Sequence, residues 1–367
     1  MLPFTGYLKI FDLSLYEKGF LLRMPSTKCL YAPETYDNFE KISKVFMEQL
    51  DWCNLMEVKC IADLNDVIAK GSFDELVRVN EALHEKKIAN IADEITARSD
   101  KVKIVLIAGP SSSGKTSFAQ RLCVQLRVNG IKPQAIGMDD YFVNRDKTPL
   151  GPDGKPDYEG LSALDLKKFN KDLNDLINGK EAIIPSYDFI TGKRRITGRK
   201  LKLHKGEIVV IEGIHGLNTE LTKAIPEEAK FRIFVSPMTQ LNVDAHNCIS
   251  TSDSRLIRRI VRDYQFRGNS AAETISVWPD VRRGEEKNIF PYQENADVVF
   301  NSATIYELCV LKAFILPRLY KIDKTMPEYI VANRLIKFLD YFLCAGTDAI
   351  PDNSLIKEFV GGSVFNV

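Results

Sequence analysis

Apolar residues follow two patterns along this chain: short unbroken runs, and stripes that recur every three or four positions. The β-branched runs predict buried strands at 102–108, 132–138, 207–212, 231–235 and 297–300. The stripes predict helices at 115–128, 162–177, 238–247, 252–266, 270–284, 304–320 and 327–342. Because the two patterns alternate from residue 102 onward, we expect an α/β fold with a parallel sheet and helices on both of its faces.

The first hundred residues mix both patterns and predict a smaller α+β region. Strand-like segments occur at 7–11 and 19–23, and Ser72-Phe-Asp-Glu75 has the form of a capping box that opens a long helix. That helix is predicted to end in the charged stretch 98–101. We therefore expect an N-terminal region at 1–100, the α/β domain at 101–325, and a C-terminal helix and tail at 326–367 packed on the core.

Composition is that of an ordinary globular protein. The chain has 367 residues, of which 45% are hydrophobic and 27% charged, and its net charge is +1. This charge gives no reason to expect binding to nucleic acid or to a membrane surface. The seven cysteines form no C-x-x-C pair, the first residues lack a signal-peptide pattern, and no apolar run has the length of a transmembrane helix. These features favour a cytoplasmic location with free thiols.

The stretch 109–116 reads Gly-Pro-Ser-Ser-Ser-Gly-Lys-Thr, the G-x-x-x-x-G-K-[ST] pattern of a phosphate-binding loop. Its glycines permit a tight turn whose amides point at an anion, and the helix that follows directs its positive end there. Lys115 adds charge for the phosphates, and the Thr116 hydroxyl is suited to Mg²⁺. We therefore predict ATP and Mg²⁺ as cofactors. The predicted ATP-binding residues are Gly109, Pro110, Ser111, Ser112, Ser113, Gly114, Lys115, Thr116, Ser117 and, from a later helix, Arg259.

Two acidic residues follow predicted strands. Asp139 comes after the second strand and Glu212 after the third. Since ligands of such sheets bind at the carboxyl ends of the strands, we expect both carboxylates beside the phosphates. Asp139 is suited to accept the proton of a substrate hydroxyl and, with Thr116 and Glu212, to hold Mg²⁺. The alternatives are a turn-forming aspartate and a solvated strand end.

Four arginines share one side of the predicted helix 252–266. Arg255, Arg258, Arg259 and Arg262 have no acidic residue between them, and unrelieved like charge on a helix is unfavourable. We therefore expect the ATP phosphates to neutralise this face, with Lys115, Arg255 and Arg258 stabilising the charge of the transferred phosphoryl group. The alternative is an ordinary solvated face. A GTPase is disfavoured because the chain lacks the N-K-x-D guanine motif.

Two further features leave alternatives open. Basic residues crowd 193–205, where we expect an exposed hairpin that turns at Ile196-Thr-Gly198; anion binding there is the alternative. His215 follows the strand that ends at Glu212, and either a structural role or an approach to substrate suits it. His84 lies on the long N-terminal helix, where we expect a structural role.

These motifs in order resemble the uridine kinase and phosphoribulokinase group of P-loop kinases, over about residues 102–300. The resemblance rests on 109–116, 139–142, 158–165, 185–189, 211–213, 255–268 and 295–299. It implies a P-loop NTPase-type sheet, with Asp139 as the catalytic base and Thr116, Asp139 and Glu212 around the metal. It also implies that Glu159 binds ribose hydroxyls, that Tyr187 and Phe189 line a nucleoside pocket, and that Arg255 and Arg258 close over ribose and phosphates.

The chain departs from this group at two positions that contact the base. Uridine kinases carry a base-reading histidine where this chain has Gly192, and a glutamine where it has Glu273. The resemblance implies an ATP- and Mg²⁺-dependent kinase for a small-molecule hydroxyl, with the 5′-hydroxyl of a uridine- or cytidine-like nucleoside as the first acceptor. Another alcohol, such as a sugar phosphate, is the second hypothesis. A protein that binds ATP without transfer, in association with RNA, is the third.

The chain also resembles a longer bacterial-type class of uridine kinase-like proteins, through residues 82–89, 282–287 and 358–363. That class carries an N-terminal region related to the amino-terminal domains of threonyl-tRNA synthetase. We expect this chain to start inside that region, without a complete synthetase-like module. Whether residues 1–100 pack on the kinase core or mediate assembly into a homo-oligomer stays open.

Overall fold

The computed structural model describes residues 6, 9–16, 19–27, 29–35, 39–151, 154, 156–188, 191–239 and 241–365, and only the backbone of 196–198. The chain divides into two compact units, residues 1–40 and 41–367. The predicted boundary near 98–101 stays a prediction. None of the helices among the described residues is long and apolar enough to cross a membrane.

The first unit contains an antiparallel hairpin. Strands β1 (Asp12–Tyr16) and β2 (Gly19–Arg23) pair in a register that sets Asp12 opposite Arg23. The Arg23 guanidinium donates to the Asp12 carboxylate, with Nε at 2.9 Å. An opposite-charge pair across two strands stabilises this register.

The second unit alternates helices and strands. Before its central sheet it has helices α1 (Glu40–Leu55), α2 (Ile61–Ala69) and α3 (Phe73–Ala97). The strands that follow are β3 (Ile104–Ala108), β4 (Lys132–Gly137), β5 (Ala182–Asp188), β6 (Lys193–Leu201), β7 (Glu207–Glu212), β8 (Lys230–Ser236) and β9 (Val298–Asn301). The helices among and after them are α4 (Lys115–Val128), α5 (Leu166–Ile177), α6 (Thr251–Phe266), α7 (Ala271–Asn288), α8 (Glu307–Leu319), α9 (Tyr329–Leu339) and α10 (Lys357–Val360).

Five of these strands form the central parallel sheet, in the order β4-β7-β3-β8-β9. They are the five strands that the apolar runs predict, and the α/β fold is confirmed. Every residue of β3 and β8 is buried, because helices cover both faces of the sheet. The carboxyl ends of β3, β4 and β7 therefore meet at one edge, where the functional residues lie.

Helix α3 packs against α4 beside this sheet. Ile88, Ile91 and Ile95 of α3 share a buried cluster with Phe118 and Leu122 of α4. Helix α3 begins where the sequence predicts. The predicted capping box is wrong, because the Ser72 side chain makes no capping hydrogen bond in the described part of the chain. The predicted structural role of His84 agrees with its burial on α3, where only 4% of it is exposed.

Two predicted elements of the second unit are wrong, and in the first unit the described residues 9–11 of the predicted segment 7–11 form no strand. The described residues of 238–247 form extended and bent backbone, because the Asp244 carboxylate accepts from the amides of His246 and Asn247 and so competes with helical bonding. Residues 196–198 lie within β6, where the β5–β6 register shifts, so they are not the turn of the hairpin; the described residues 191 and 192 form a turn directly before β6. The register shift marks a bulge, which a sequence pattern reads as a turn.

Candidate active site

The phosphate-binding loop joins β3 to α4 in close contact with β8. A Cβ on Gly109 would overlap the carbonyl oxygen of Val235, so only glycine fits there. Gly114 has a φ of +82° and Ser112 a φ of 57°, the left-handed conformation that lets successive amides turn toward one point. The loop therefore has the backbone shape that the sequence motif predicts.

Lys115 folds back over this loop. Its Nζ donates to the carbonyl oxygens of Gly109 at 2.9 Å and Pro110 at 3.0 Å. Burial lowers the pKa of the Lys115 amine, and the carboxylate of Glu212 opposes that shift. The ammonium is thus held at the mouth of the loop, where a phosphate would meet it.

Three predicted metal-associated residues come together at the sheet edge. Thr116 Oγ1 donates to Glu212 Oε1 at 3.0 Å, and Asp139 is the second residue of a short 3-10 turn, Met138–Tyr141, directly after β4. Burial raises the pKa of the Glu212 carboxyl, and the Lys115 charge lowers it. One hydroxyl and two carboxylates are hard oxygen donors that suit Mg²⁺.

These donors would need further ligands to hold Mg²⁺. Within the described ranges, no group of three or more His, Cys, Asp or Glu side chains could hold a metal ion by itself. Mg²⁺ is commonly bound through one or two carboxylates together with substrate phosphates and water. The site therefore fits a metal that arrives with a nucleotide.

Asp139 and Asp140 have different environments. Asp140 Oδ1 accepts from the Tyr187 amide at 3.2 Å, which ties the 3-10 turn to β5. Asp139 is exposed in the open space beside Lys115, which we call the cleft. The protein around the cleft nevertheless desolvates the Asp139 carboxylate and raises its pKa, while the charge of Lys115 lowers it. Of the two aspartates, Asp139 is the one suited to receive a proton from a bound hydroxyl.

A cavity of about 360 Å³ lies beside this turn. Phe142 and Tyr187 meet there edge to face, with ring centroids 5.7 Å apart. The cavity is lined by Phe142, Val143, Arg145, Thr148, Tyr158 and Tyr187. Tyr187 therefore lines a pocket, as the resemblance implies, whereas Phe189 lies outside the described residues. A cavity lined by three aromatic rings and one cationic side chain suits a flat acceptor that carries polar groups.

Glu159 faces the same cleft from the loop before α5. The residue is exposed and its side chain packs over Gly284 of α7. The surrounding protein still desolvates the Glu159 carboxylate and raises its pKa, while Arg259 lowers it. The two residues that depart from the uridine kinase pattern, Gly192 and Glu273, make different contacts. Gly192 lies under the side chain of Arg145, and the Glu273 carboxylate caps α7 by accepting from the Ser270 amide at 2.7 Å.

Carboxylates from other elements neutralise part of the arginine face. Arg255 pairs with Glu285 at 2.9 Å and Arg258 with Glu307 at 2.6 Å, and each arginine is only 1% exposed. The expectation that this face depends on ATP phosphates for neutralisation is therefore wrong for these two arginines. The charges along α6 alone do not reveal these partners, because Glu285 lies on α7 and Glu307 on α8.

Arg255 and Arg258 instead bind the backbone of the phosphate-binding loop. Arg255 Nη1 donates to the carbonyl oxygen of Ser111 at 3.3 Å, and Arg258 Nη1 to that of Ser112 at 3.4 Å. Their catalytic role stays a prediction. A direct phosphate contact would require them to leave these partners.

Half-buried and exposed arginines reach the cleft more directly. Arg259 Nη1 donates to Ser111 Oγ at 2.6 Å, on the loop itself. Arg262 and Arg267 both interact with Asp263, and about half of the Arg267 side chain is exposed. Arg259 was among the predicted ATP-binding residues and Arg262 belonged to the predicted arginine face, whereas Arg267 had no predicted contact with ATP.

Sequence reasoning also missed two acids that bind the loop and its helix. Glu285 Oε1 accepts from the Ser111 amide at 2.9 Å, and Glu358 Oε2 accepts from Ser117 Oγ at 2.9 Å and from its amide at 3.2 Å. Both acids lie far from the loop in sequence. Their only signal was the resemblance of 282–287 and 358–363 to the longer kinase class, which assigned them no role.

A family model described as "Phosphoribulokinase / Uridine kinase family" matches residues 104–308, more than half of the chain. The chain therefore belongs to the phosphoribulokinase and uridine kinase family. Uridine kinase of Macrococcus caseolyticus is 28% identical over 200 residues, which are 54% of this chain and 87% of that protein. Uridine kinase of Mycoplasma genitalium is 28% identical over 182 residues, 50% of this chain and 76% of that protein.

A solved structure of a possible uridine kinase from Bacillus stearothermophilus is 21% identical, with a TM-score of 0.36, and the match covers 57% of this chain and 100% of that chain. Family membership and the site together make this chain a phosphotransferase that acts on a hydroxyl group.

Proposed function

We propose that this protein transfers the γ-phosphate of Mg·ATP to the 5′-hydroxyl of a nucleoside. The observation that carries the proposal is the meeting at one sheet edge of the phosphate-binding loop, the Thr116–Glu212 contact and Asp139, next to an aromatic cavity. A phosphoryl-transfer site needs a held triphosphate, a metal position and a base near the acceptor, and these elements supply all three.

Each group in the site has a proposed task. The loop amides and Lys115 bind the triphosphate, and bound Mg²⁺ would neutralise the charge that develops on the phosphates. Thr116 and Glu212 would hold that metal, with Asp139 beside it. Asp139 orients the acceptor hydroxyl and accepts its proton as the oxygen attacks phosphorus. Arg259, and Arg255 and Arg258 if they rearrange, stabilise the transferred charge.

Glu159 and Tyr187 are proposed to bind the acceptor. An exposed carboxylate on the cleft is suited to accept hydrogen bonds from vicinal hydroxyls of a sugar. Tyr187 and Phe142 offer ring surfaces to a flat base. These assignments follow the resemblance to uridine kinases and the placement of both side chains at the cleft.

A non-nucleoside alcohol is the second candidate. Uridine kinases carry a histidine that recognises the base at the position of Gly192. In this chain the side chain of Arg145 packs over Gly192 and lines the acceptor cavity. A guanidinium there would also suit a phosphate or carboxylate on the acceptor. The family description itself names kinases of two different acceptors.

A panel of acceptors with γ-labelled ATP tests the proposal. Uridine, cytidine, purine nucleosides, sugar phosphates and small alcohols are each incubated with the protein, Mg²⁺ and label. We expect label on a nucleoside. Transfer to sugar phosphates or other alcohols alone would replace the first candidate by the second. ATP binding without transfer to any acceptor, together with co-purifying RNA, would favour the RNA-associated alternative.

The threonyl-tRNA synthetase-like character of the N-terminal region stays a prediction, as does a homo-oligomer. Neither is needed for the proposed reaction, because every proposed site residue lies between 109 and 259.

A further inference from the structure

The C-terminal segment 354–360 returns to the start of the phosphate-binding helix. The Glu358 carboxylate accepts hydrogen bonds from both the amide and the hydroxyl of Ser117, the third residue of α4. Ser117 is fully buried and Glu358 is 6% exposed. Leu355 of the same segment lies 3.6 Å from the position that a Cβ on Gly114 would occupy. The segment is thus seated on the loop that holds the nucleotide.

The segment is also fastened to helix α6. Gln265 Nε2 donates to the carbonyl oxygen of Phe359 at 2.9 Å, and the Arg258 guanidinium lies over the Phe359 ring, 5.1 Å from its centroid. The Ser354 hydroxyl donates to Glu81 of α3 at 2.6 Å. Glu358 is therefore held in place from both sides of its own short segment.

Glu358 accepts a hydrogen bond from a backbone amide of the kind that binds phosphate. The first-turn amides of a helix have no partner inside the helix, and they attract anions together with the positive end of the helix dipole. In α4 these amides belong to Lys115, Thr116 and Ser117. Glu358 binds the last of them through its carboxylate, close to Lys115 and Glu212.

We propose that Glu358 is a built-in anionic competitor of the nucleotide, and that Mg·ATP must displace its carboxylate from Ser117 in order to bind fully. The C-terminal segment then sets the affinity for ATP, and its release from Ser117 accompanies nucleotide binding. This inference rests on the proposed binding of ATP to the loop and does not depend on which acceptor is used.

Glu358→Gln separates charge from shape. Glutamine has the size of glutamate and keeps a carbonyl oxygen for the Ser117 amide, so the fold is expected to persist. Asp352→Asn is the matched control: it removes one charge from the same tail, where Asp352 is largely exposed and pairs with Lys357 at 3.3 Å. Calorimetric titration of the full chain with Mg·ATP, without acceptor, measures the affinity of each form.

We expect Glu358→Gln to bind Mg·ATP about tenfold more tightly than the unaltered chain, since it removes a charge that competes for the helix terminus. The Asp352→Asn form should match the unaltered chain. Equal or weaker binding by Glu358→Gln would overturn the competitor role while leaving the proposed kinase function intact. ATP binding by none of the forms would contradict both.

Hydrogen exchange on the unaltered chain gives a second test that needs no variant. The amides of Phe359, Val360 and the following Gly361 donate to carbonyl oxygens of Ile356 and Lys357 in the segment. With Mg²⁺ and a non-hydrolysable ATP analogue, we expect these amides to exchange faster because the segment loosens when Glu358 is displaced. Unchanged or slower exchange would show that ATP binds with the segment in place, which contradicts the proposal.

Discussion

At the scale of single residues, Asp139 combines access to solvent with an unfavourable place for a charge. The carboxylate is open to the cleft, and the desolvation that raises its pKa also makes it a stronger base than an ordinary aspartate. Such a compromise is common where a side chain serves chemistry instead of folding.

Asp139→Asn should abolish turnover and slightly stabilise the fold. Loss of a general base lowers kcat roughly a hundred- to ten-thousand-fold, while ATP affinity should change by less than about threefold because the loop is untouched. A raised pKa in the folded state means that the charge opposes folding at neutral pH, so its removal should raise Tm. Kinetics, ATP titration and thermal unfolding check the three results; near-normal turnover would remove Asp139 from the base role.

The pH dependence of kcat/KM should place its acid limb above the pKa of an exposed aspartate. Turnover requires Asp139 and Glu212 without their protons, and the pKa of each carboxyl is raised in the folded chain. Activity should therefore fall as the pH drops through those raised values. The same protonation relieves a folding penalty, so stability from these two groups should increase over that range. An acid limb at the ordinary aspartate value would contradict this reading.

Residue identity was predictable wherever a local motif carried the chemistry. The loop, Lys115, Thr116 and the two strand-end acids are read from short stretches, and the structure brings Thr116 and Glu212 into contact. The partners of Arg255 and Arg258 were not predictable, because Glu285 and Glu307 approach from helices whose packing the sequence does not state. Glu358 was hidden for the same reason.

At the scale of elements, α6 is joined to its neighbours by ion pairs inside the protein. The Arg258–Glu307 pair links α6 to α8, and only 2% and 3% of the two side chains are exposed. A buried pair contributes little on balance, but loss of one partner strands the other charge. Its main effect is therefore to penalise any other placement of α6.

Glu307→Leu should destabilise the fold by about 3–5 kcal/mol, because Arg258 is left buried without a counter-charge. The double variant Arg258→Met, Glu307→Leu should recover most of that loss. Denaturant unfolding of both variants measures the free energies of unfolding. Additive losses would mean that the two side chains act independently, contrary to the pairing seen here.

Gly192→Ala should impair the acceptor side of the site and leave ATP binding unchanged. Gly192 has a φ of +66°, and a Cβ there would lie 2.8 Å from the Cβ of Arg145. We expect the KM for the acceptor to rise roughly tenfold as the Arg145 loop moves. Gly206→Ala is the control, since Gly206 has a φ of +83° in open space. A similar rise in both variants would assign the effect to backbone strain alone.

Elements were predictable where the apolar pattern is long and regular. The five strands of the sheet and the helices at 115–128 and 252–266 occur close to their predicted places. The helix at 238–247 failed because the Asp244 side chain bonds to the backbone amides that a helix would need. The bulge at 196–198 looked like a turn since Thr-Gly suits both.

At the scale of the whole molecule, the end of the first compact unit at residue 40 and the predicted boundary near 98–101 lead to different expectations. A chain that begins at Lys41 should fold and keep its ATP affinity, because it contains every proposed site residue. A chain that begins at Lys101 should not fold cooperatively. It lacks Ile88, Ile91 and Ile95, whose burial contributes roughly 1.5–3 kcal/mol each, against a typical total stability of about 5–15 kcal/mol.

Circular dichroism melts and ATP titration of the two shortened chains decide between these expectations. Folding of the chain that begins at Lys101 would support a domain boundary near 98–101. Failure of the chain that begins at Lys41 would show that the first 40 residues are needed for the stability of the rest.

Glu81 of α3 has a consequence for how the protein is made. Its carboxylate accepts from the Tyr306 hydroxyl at 2.5 Å and the Ser354 hydroxyl at 2.6 Å, residues 225 and 273 positions further along the chain. At typical synthesis rates a ribosome needs on the order of tens of seconds to reach them. Until then Glu81 lacks these two hydrogen-bond partners, so this part of the nascent α3 stays exposed to water. The hydrogen-bonded cluster around Glu81 is thus completed only after Ser354 has left the ribosome.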